Sequence, residues 1–391
     1  MPNKKRTIFT KILIWRYKYI SERQFILVLS VLVGFLAGLG TVLLKYLTLF
    51  IQSVLEGGFI RNYYYSLYFI FPIVGVWLVY LIKKNFLKKE IGHGISTTLY
   101  AISKRSGIIE RYKMFASFMV APITVGFGGS VGLQGPAVST GAAIGSNVAS
   151  MFHMNAKTRM LLIGCATAGA MSSMFKAPVA AIVFAVEIFS LDLIFTSLVP
   201  LLLASVAAVI TSYFFRGTDV LFSFELLDAW RVKDIIFYVF LGLATGIASV
   251  YFSRMYFLIT RFFGWFSNAY VKIGIAAFAI GLMLYLFPPL YGEGYGLINN
   301  LLNGETEAAL NGIQYQIDFN NVWIVVAILL LIAVFKAIAM TTTFAAGGVG
   351  GIFIPTLFMG SALGNSVAKV INQFGFEVSE SNFTLIGMTG L

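Results

Sequence analysis

The stretches Phe25 to Leu44, Tyr65 to Ile82, Ile235 to Phe252 and Val322 to Phe335 contain no charged residue, and they constrain the chain more than anything else in it. A helix needs about 20 mostly apolar residues to cross the hydrocarbon of a bilayer. A membrane β-barrel would instead show alternating segments of about ten residues. Composition agrees, with 59% hydrophobic and 11% charged residues where soluble domains carry roughly a quarter charged. The chain reads as an all-α integral membrane protein. Its single cysteine, Cys165, excludes an intrachain disulfide, and its two histidines, His93 and His153, leave a Cys/His metal site short of ligands. No cofactor is expected.

The formal net charge of +12 is unevenly spread. Lys4, Lys5, Arg6, Lys11, Arg16, Lys18 and Arg23 precede the first apolar run, and Lys83, Lys84, Lys88 and Lys89 follow the second. By the positive-inside rule both clusters face the cytoplasm, with an even number of crossings between them. This gives a multi-pass protein of a plasma or bacterial inner membrane with a cytoplasmic N-terminus. Residues 1–24 interleave Phe9, Ile12, Leu13, Ile14, Trp15 and Tyr17 with their charges, which describes an interfacial amphipathic helix rather than a nucleic-acid arm. The run after it is too long for a cleaved signal peptide.

Glycine carries the next constraint, because 38 glycines in so apolar a chain imply close helix packing and backbone that faces something other than lipid. Gly128 to Pro136 (GGSVGLQGP) is echoed by Gly347 to Pro355 (GGVGGIFIP) at an offset of about 219 residues. Gly92 to Ser96 is echoed by Gly292 to Gly296, and Leu162 to Gly169 by Leu385 to Gly390. Three collinear echoes predict two repeats, 25–216 and 235–391, joined by a connecting segment 217–234. The first repeat continues through Phe175 to Pro178, a helix with Glu187 and a further span, for which the second has no counterpart, so the second repeat is expected to be incomplete at its C-terminus.

Unwound backbone at membrane depth must be buried in protein or line a wet cavity. Discontinuous helices at matching places in two repeats aim their N-termini at anionic substrates in transporters. Pro136 and Pro355 suit the first turn of such helices, and each N-terminus offers about half a positive charge and free N–H donors. No Lys or Arg occurs from Val131 to Ala156 or from Ala337 to Ala368, and no acidic residue from Arg111 to Val186 or from Phe319 to Phe376. A path for an anion bound by partial charges fits this pattern. A carbonyl-lined cation path remains open from these residues alone, as does an intramembrane serine hydrolase, because Gly128-Gly-Ser130-Val-Gly132 fits the Gly-x-Ser-x-Gly pattern.

These motifs together resemble the CLC family of chloride channels and proton-coupled chloride transporters. Gly351 to Pro355 matches the family's Gly-Ile-Phe-x-Pro unchanged. Gly132 to Pro136 is similar to Gly-Arg-Glu-Gly-Pro, Gly92 to Ser96 to Gly-Ser-Gly-Ile-Pro, and Lys176-Ala-Pro178 running to Glu187 to the family's Asn-Ala-Pro helix. The resemblance implies two inverted-topology repeats of tilted and discontinuous helices, a homodimer in the lipid bilayer, and a small inorganic anion, chloride or another halide, as the bound species. It implies outer and central sites made by amides of Leu133, Gln134, Gly135, Ile352, Phe353 and Ile354, and an inner site at Gly92, His93 and Gly94. A central tyrosine typical of the family would lie beyond Leu391.

The departures matter as much. Gln134 stands where the family has its gating glutamate, and Leu133 where an arginine precedes it. Glutamine keeps the size and hydrogen bonding but cannot titrate. Glu187 matches the first of a glutamate pair, while Ile188 stands at the second, so both proton stations are read as lost and passive anion movement is expected. The alternative is an H+/Cl− antiporter with an atypical proton path. His93 replaces a serine and is read either as a donor to the anion or as a neutral ring within a helix cap. Glu187 is either an inner carboxylate on the ion path or a structural acceptor. Gly141, Ala142, Ala143 and Gly145 are expected to serve close helix packing, and Cys165 to be a small buried hydrophobe.

Overall fold

The computed structural model of the 391-residue chain describes residues 18–55, 64–89, 91, 94–190, 195–218, 220–222, 231–313 and 317–391. Most of the amphipathic N-terminal segment, Gly92, His93, Asp192 and residues 223–230 of the connecting segment lie outside the described residues. The described chain is helical: α1 Glu22–Leu55, α2 Tyr64–Ile82, a π-turn Lys83–Leu87, α3 Gly94–Arg105, α4 Lys113–Gly126, α5 Gln134–Met151, α6 Ala156–Phe175, α7 Pro178–Phe189 and α8 Phe195–Arg216. It continues with α9 Ile235–Gly264, α10 Ala269–Leu286, α11 Tyr295–Leu302, α12 Thr306–Ala309, α13 Val322–Ala345, α14 Phe353–Gln373 and α15 Glu380–Thr389.

Six of the described helices are long and apolar enough to cross a membrane. The 24 residues of α13 span about 36 Å at about 1.5 Å per residue, which exceeds the roughly 30 Å of hydrocarbon. The 34 residues of α1 reach about 51 Å by the same rise, so this helix must tilt or project into the interface. The span α10 was not among the runs singled out from sequence, although Ile273 to Gly292 carries no charged residue. Pro72, Pro122 and Pro200 lie inside α2, α4 and α8, as membrane helices tolerate where neighbours satisfy the freed carbonyls.

Contacts group the chain into two compact units, one of residues 1–44, 94–117 and 137–219, the other of 45–93, 118–136 and 220–391. In the first, small residues let backbones touch. A Cβ at Gly34 would sit 2.2 Å from Ala204 O, one at Gly145 2.3 Å from Leu162 O, and one at Gly141 2.7 Å from Ala166 O. Ala142 and Ala143 are fully buried against Ala101, Ile109 and Ile163. The packing role read for these residues is therefore what the fold uses. Cys165 is buried, with Sγ 3.8 Å from Ser30 Oγ. Asn155 caps α6 by accepting from the Thr158 amide at 2.8 Å, and Lys176, in the left-handed conformation, ends it. Pro178 then opens α7 at a position where its missing N–H is not needed.

In the second unit, α14 and α15 cross at Gly360, Gly364 and Gly387. A Cβ at Gly364 would lie 2.1 Å from Phe383 O and one at Gly360 2.2 Å from Gly387 O, and Leu241, Ala368, Val378 and Phe383 form the core beside them. Carbonyl oxygens of a helix backbone cannot move aside as a side chain does. Gly364→Ala is expected to cost about 1–3 kcal/mol through forced separation of the helices, seen as a lower thermal midpoint in detergent. An unchanged midpoint would show that α14 and α15 slide apart freely.

Candidate anion site

The two glycine segments meet within the second unit, and the repeat offset reappears there as a set of reciprocal hydrogen bonds. Gly132 N donates to Gly351 O at 3.0 Å and Gly351 N to Gly132 O at 2.7 Å, an antiparallel bridge. Ser130 N donates to Thr343 Oγ1 at 3.3 Å, and Val349 N to Thr124 Oγ1 at 3.1 Å. Gly129 N and Gly348 N turn back to Thr124 O and Thr343 O at 2.7 and 2.9 Å. Gly128 and Gly347, at φ of 92° and 91°, make turns that a side chain would strain. Every partner is matched by the residue one offset away, which is the signature of a duplicated strap.

This strap sets the starts of α5 and α14 side by side. Gly135 must be glycine because its Cβ would meet Gly350 O at 2.9 Å, and Gly351 because its Cβ would meet Gly135 N at 2.6 Å. Ile352 leads into α14 with no side-chain cap, so the helix enters on its own amides. Of the residues expected at the outer and central sites, Leu133, Gln134, Gly135, Ile352, Phe353 and Ile354 all lie at these two starts. Leu133 and Ile354 are buried, whereas Ile352 is 47% exposed. Gly94 opens α3 in the first unit, at φ 44°, where its carbonyl accepts from Thr97 Oγ1 and Thr98 Oγ1. Glu187 lies near the end of α7 in that unit with an exposed side chain.

Gln134 is only 2% exposed. Its Nε2 donates to Tyr295 OH at 2.7 Å and approaches Glu293 Oε1 at 3.4 Å. Its Oε1 is buried, accepts no hydrogen bond among the described residues, and lies where a Cβ at Gly132 would be 2.1 Å away. The carboxylate fixes this orientation, since turning the amide would press oxygen against oxygen.

Glu293 was missed by sequence reasoning. Its Oε1 accepts from Leu133 N at 2.9 Å, so a carboxylate sits on one of the amides expected to hold the anion. The segment that carries it is held from several sides. Ser130 Oγ donates to Leu290 O at 2.7 Å, and Lys336 Nζ donates to Gly292 O at 3.0 Å and Leu290 O at 3.3 Å. Gly294, at φ 84°, lies against the Phe358 ring, over which Lys336 Nζ stands 4.6 Å from the centroid. Lys45 lies over the Tyr295 ring at 5.2 Å. Lys336 is completely buried and immediately precedes the charge-free stretch from Ala337, which is why the window of missing charge passed it by. Ser130, buried in the strap, donates its hydroxyl proton to the Leu290 carbonyl.

Comparison with known proteins bears on the family and the fold. Residues 74–391 match the model of the voltage gated chloride channel family. A putative chloride channel protein ClcB-like from Ralstonia nicotianae is 27% identical over 304 residues, covering 75% of this chain and 65% of the relative. The H(+)/Cl(−) exchange transporter ClcA of Vibrio cholerae serotype O1 is 26% identical over 383 residues, covering 94% of this chain and 78% of the relative. Among solved structures, a CLC-type fluoride/proton antiporter superposes with a TM-score of 0.71 at 22% identity, over 98% of this chain and 86% of that one. A slow cyanobacterial Cl−/H+ antiporter gives 0.74 at 18% identity, over 94% and 85%. The fold is the CLC fold, and this integral membrane chain belongs to the voltage gated chloride channel family.

Proposed function

We propose that the protein moves a small monovalent anion, chloride or a similar halide, passively through the cradle at the starts of α5 and α14. The observation that carries this reading is the reciprocal Gly132–Gly351 bridge, which brings two helix N-termini together. An anion leaving water loses hydration worth tens of kcal/mol by idealised Born estimates, and oriented amides can replace that shell without holding the ion as tightly as a full charge would. Passive movement is proposed because residue 134, at the mouth of the cradle, cannot take up or release a proton.

One observation favours a second reading. Glu293 places an ionisable group on Leu133 N and beside Gln134, so proton-coupled exchange through Glu293 is the alternative. Reversal potential in proteoliposomes under a pH gradient separates the two. Passive movement predicts a potential set by the anion gradient alone, and a shift with the proton gradient would move the assignment to exchange. Gln134→Glu is a companion test. It puts a second carboxylate against Glu293, and two carboxylates in contact cannot both ionise without cost. Flux through this variant is expected to fall as pH rises, and equal flux in mildly acidic and mildly alkaline buffer would contradict the placement of residue 134 in the path.

A further inference from the structure

The bonds of the glycine strap come in pairs related by the repeat, but the bond that holds Gln134 does not. Gln134 Nε2 donates to Tyr295 OH at 2.7 Å. By the echoes in sequence the counterparts of these two residues are Phe353 and Ile95, and neither side chain can form such a bond. A polar contact has been added at one of two matched helix starts. Tyr295 is the first residue of α11 and follows Gly294, whose left-handed φ of 84° turns the chain there. Lys45 Nζ stands over one face of its ring, 5.2 Å from the centroid, and Phe222 meets it edge to face at 5.7 Å. The ring is held, and the position of its hydroxyl with it.

The two ends of the Gln134 amide are in different circumstances. Nε2 has Tyr295 OH and, at 3.4 Å, Glu293 Oε1, while Oε1 is buried and accepts nothing among the described residues. The point that a Cβ on Gly132 would occupy lies 2.1 Å from this oxygen and 3.2 Å from Ile354 Cβ. The bare oxygen therefore stands between the starts of α5 and α14, where an arriving anion meets the negative end of the amide. Burying an acceptor without a donor is unfavourable by about as much as one or two hydrogen bonds contribute. The side chain is thus close to balance between staying and leaving, and the bond to Tyr295 decides for staying.

We propose that Tyr295 is a positioning residue that latches Gln134 across the anion cradle, so that passage of an anion requires the bond from Nε2 to the Tyr295 hydroxyl to open. The latch needs no proton, because the amide does not titrate. It rests on the anion-transport reading above and adds to it a closed position held by one hydrogen bond.

The test is chloride efflux from proteoliposomes made with the full chain and with Tyr295→Phe, which keeps a ring between Lys45 and Phe222 and removes only the hydroxyl. Efflux is expected to rise roughly fivefold, the population shift that loss of one hydrogen bond allows. In Gln134→Ala, which has no latch to release, adding Tyr295→Phe should change efflux by less than about twofold. Unchanged or slower efflux in Tyr295→Phe alone, or an equal rise in both backgrounds, overturns the latch. A spectroscopic readout separates positioning from a merely structural role. In protein whose glutamine amides carry an isotopic nitrogen label, the side-chain signal that Gln134→Ala removes should shift in Tyr295→Phe. A signal left in place overturns the hold of Tyr295 on Gln134. A full chain that carries no chloride defeats the transport reading, while the amide signal still decides whether Tyr295 holds Gln134.

Discussion

Replacing Glu293 with glutamine is expected to tighten halide binding about tenfold, equivalent to about 1.4 kcal/mol. The carboxylate and the anion seek the same donor. Leu133 N lies 2.9 Å from Glu293 Oε1, at the entry to α5, where the helix presents about half a positive charge. An anion arriving there must displace the carboxylate or stand beside it. Two unit charges 4 Å apart at an effective dielectric of about 20 repel by about 4 kcal/mol, so even partial relief exceeds the expected gain. Glutamine retains the shape and can still accept from Leu133 N, which leaves the strap intact. Isothermal titration with chloride and bromide measures the change. Weaker binding in the variant would show that Glu293 organises the site and does not compete within it.

Much of this architecture is legible in the sequence because it depends on local rules. The runs beginning at Ile235 and Val322 start helices at those residues, since a helix satisfies its own backbone groups in lipid. Gln134 and Phe353 are the first residues of α5 and α14, as Pro136 and Pro355 in the first turn imply. The places where sequence reading stops short share a different cause. The uncharged run ends at Leu44, yet α1 continues to Leu55, because Lys45 is buried against Tyr295 and an interrupted apolar run is not an interrupted backbone. Glu293, between two glycines, reads as part of a repeated turn. Only the approach of Leu133 and Gln134, far away along the chain, turns it into part of the site. The Gly-x-Ser-x-Gly pattern around Ser130 falls on the glycine strap, where Ser130 Oγ donates to Leu290 O. The one available clue to Lys336 was the position of a basic residue deep inside an apolar run, since such residues are costly in a bilayer and are kept where they have work to do.

Lys336→Met tests that last point and is expected to have the larger effect on stability, about 1–3 kcal/mol. Methionine fills nearly the same volume, so the loss is not one of packing. It is the loss of hydrogen-bond donors to Gly292 O and Leu290 O, 3.0 and 3.3 Å from Nζ, in a place that is completely buried. An amine donates to both carbonyls whether or not it carries its extra proton, so the expectation does not depend on charge. Leu290 O would keep Ser130 Oγ as a donor, whereas Gly292 O would lose its bond to Nζ one residue before Glu293. The turn from Leu290 to Gly294 then loosens, and with it the aim of the Glu293 carboxylate at Leu133 N. Stability and halide affinity should therefore change together in Lys336→Met. A contrasting variant, Lys369→Met, removes a 2.7 Å ion pair to Glu380 that is partly open to its surroundings and should cost no more than about 1 kcal/mol, with halide binding unaltered. Thermal unfolding in detergent and halide titration of the two variants give the comparison directly. Equal losses of stability from both would mean that Lys336 is an ordinary buried side chain and that the turn carrying Glu293 is held without it.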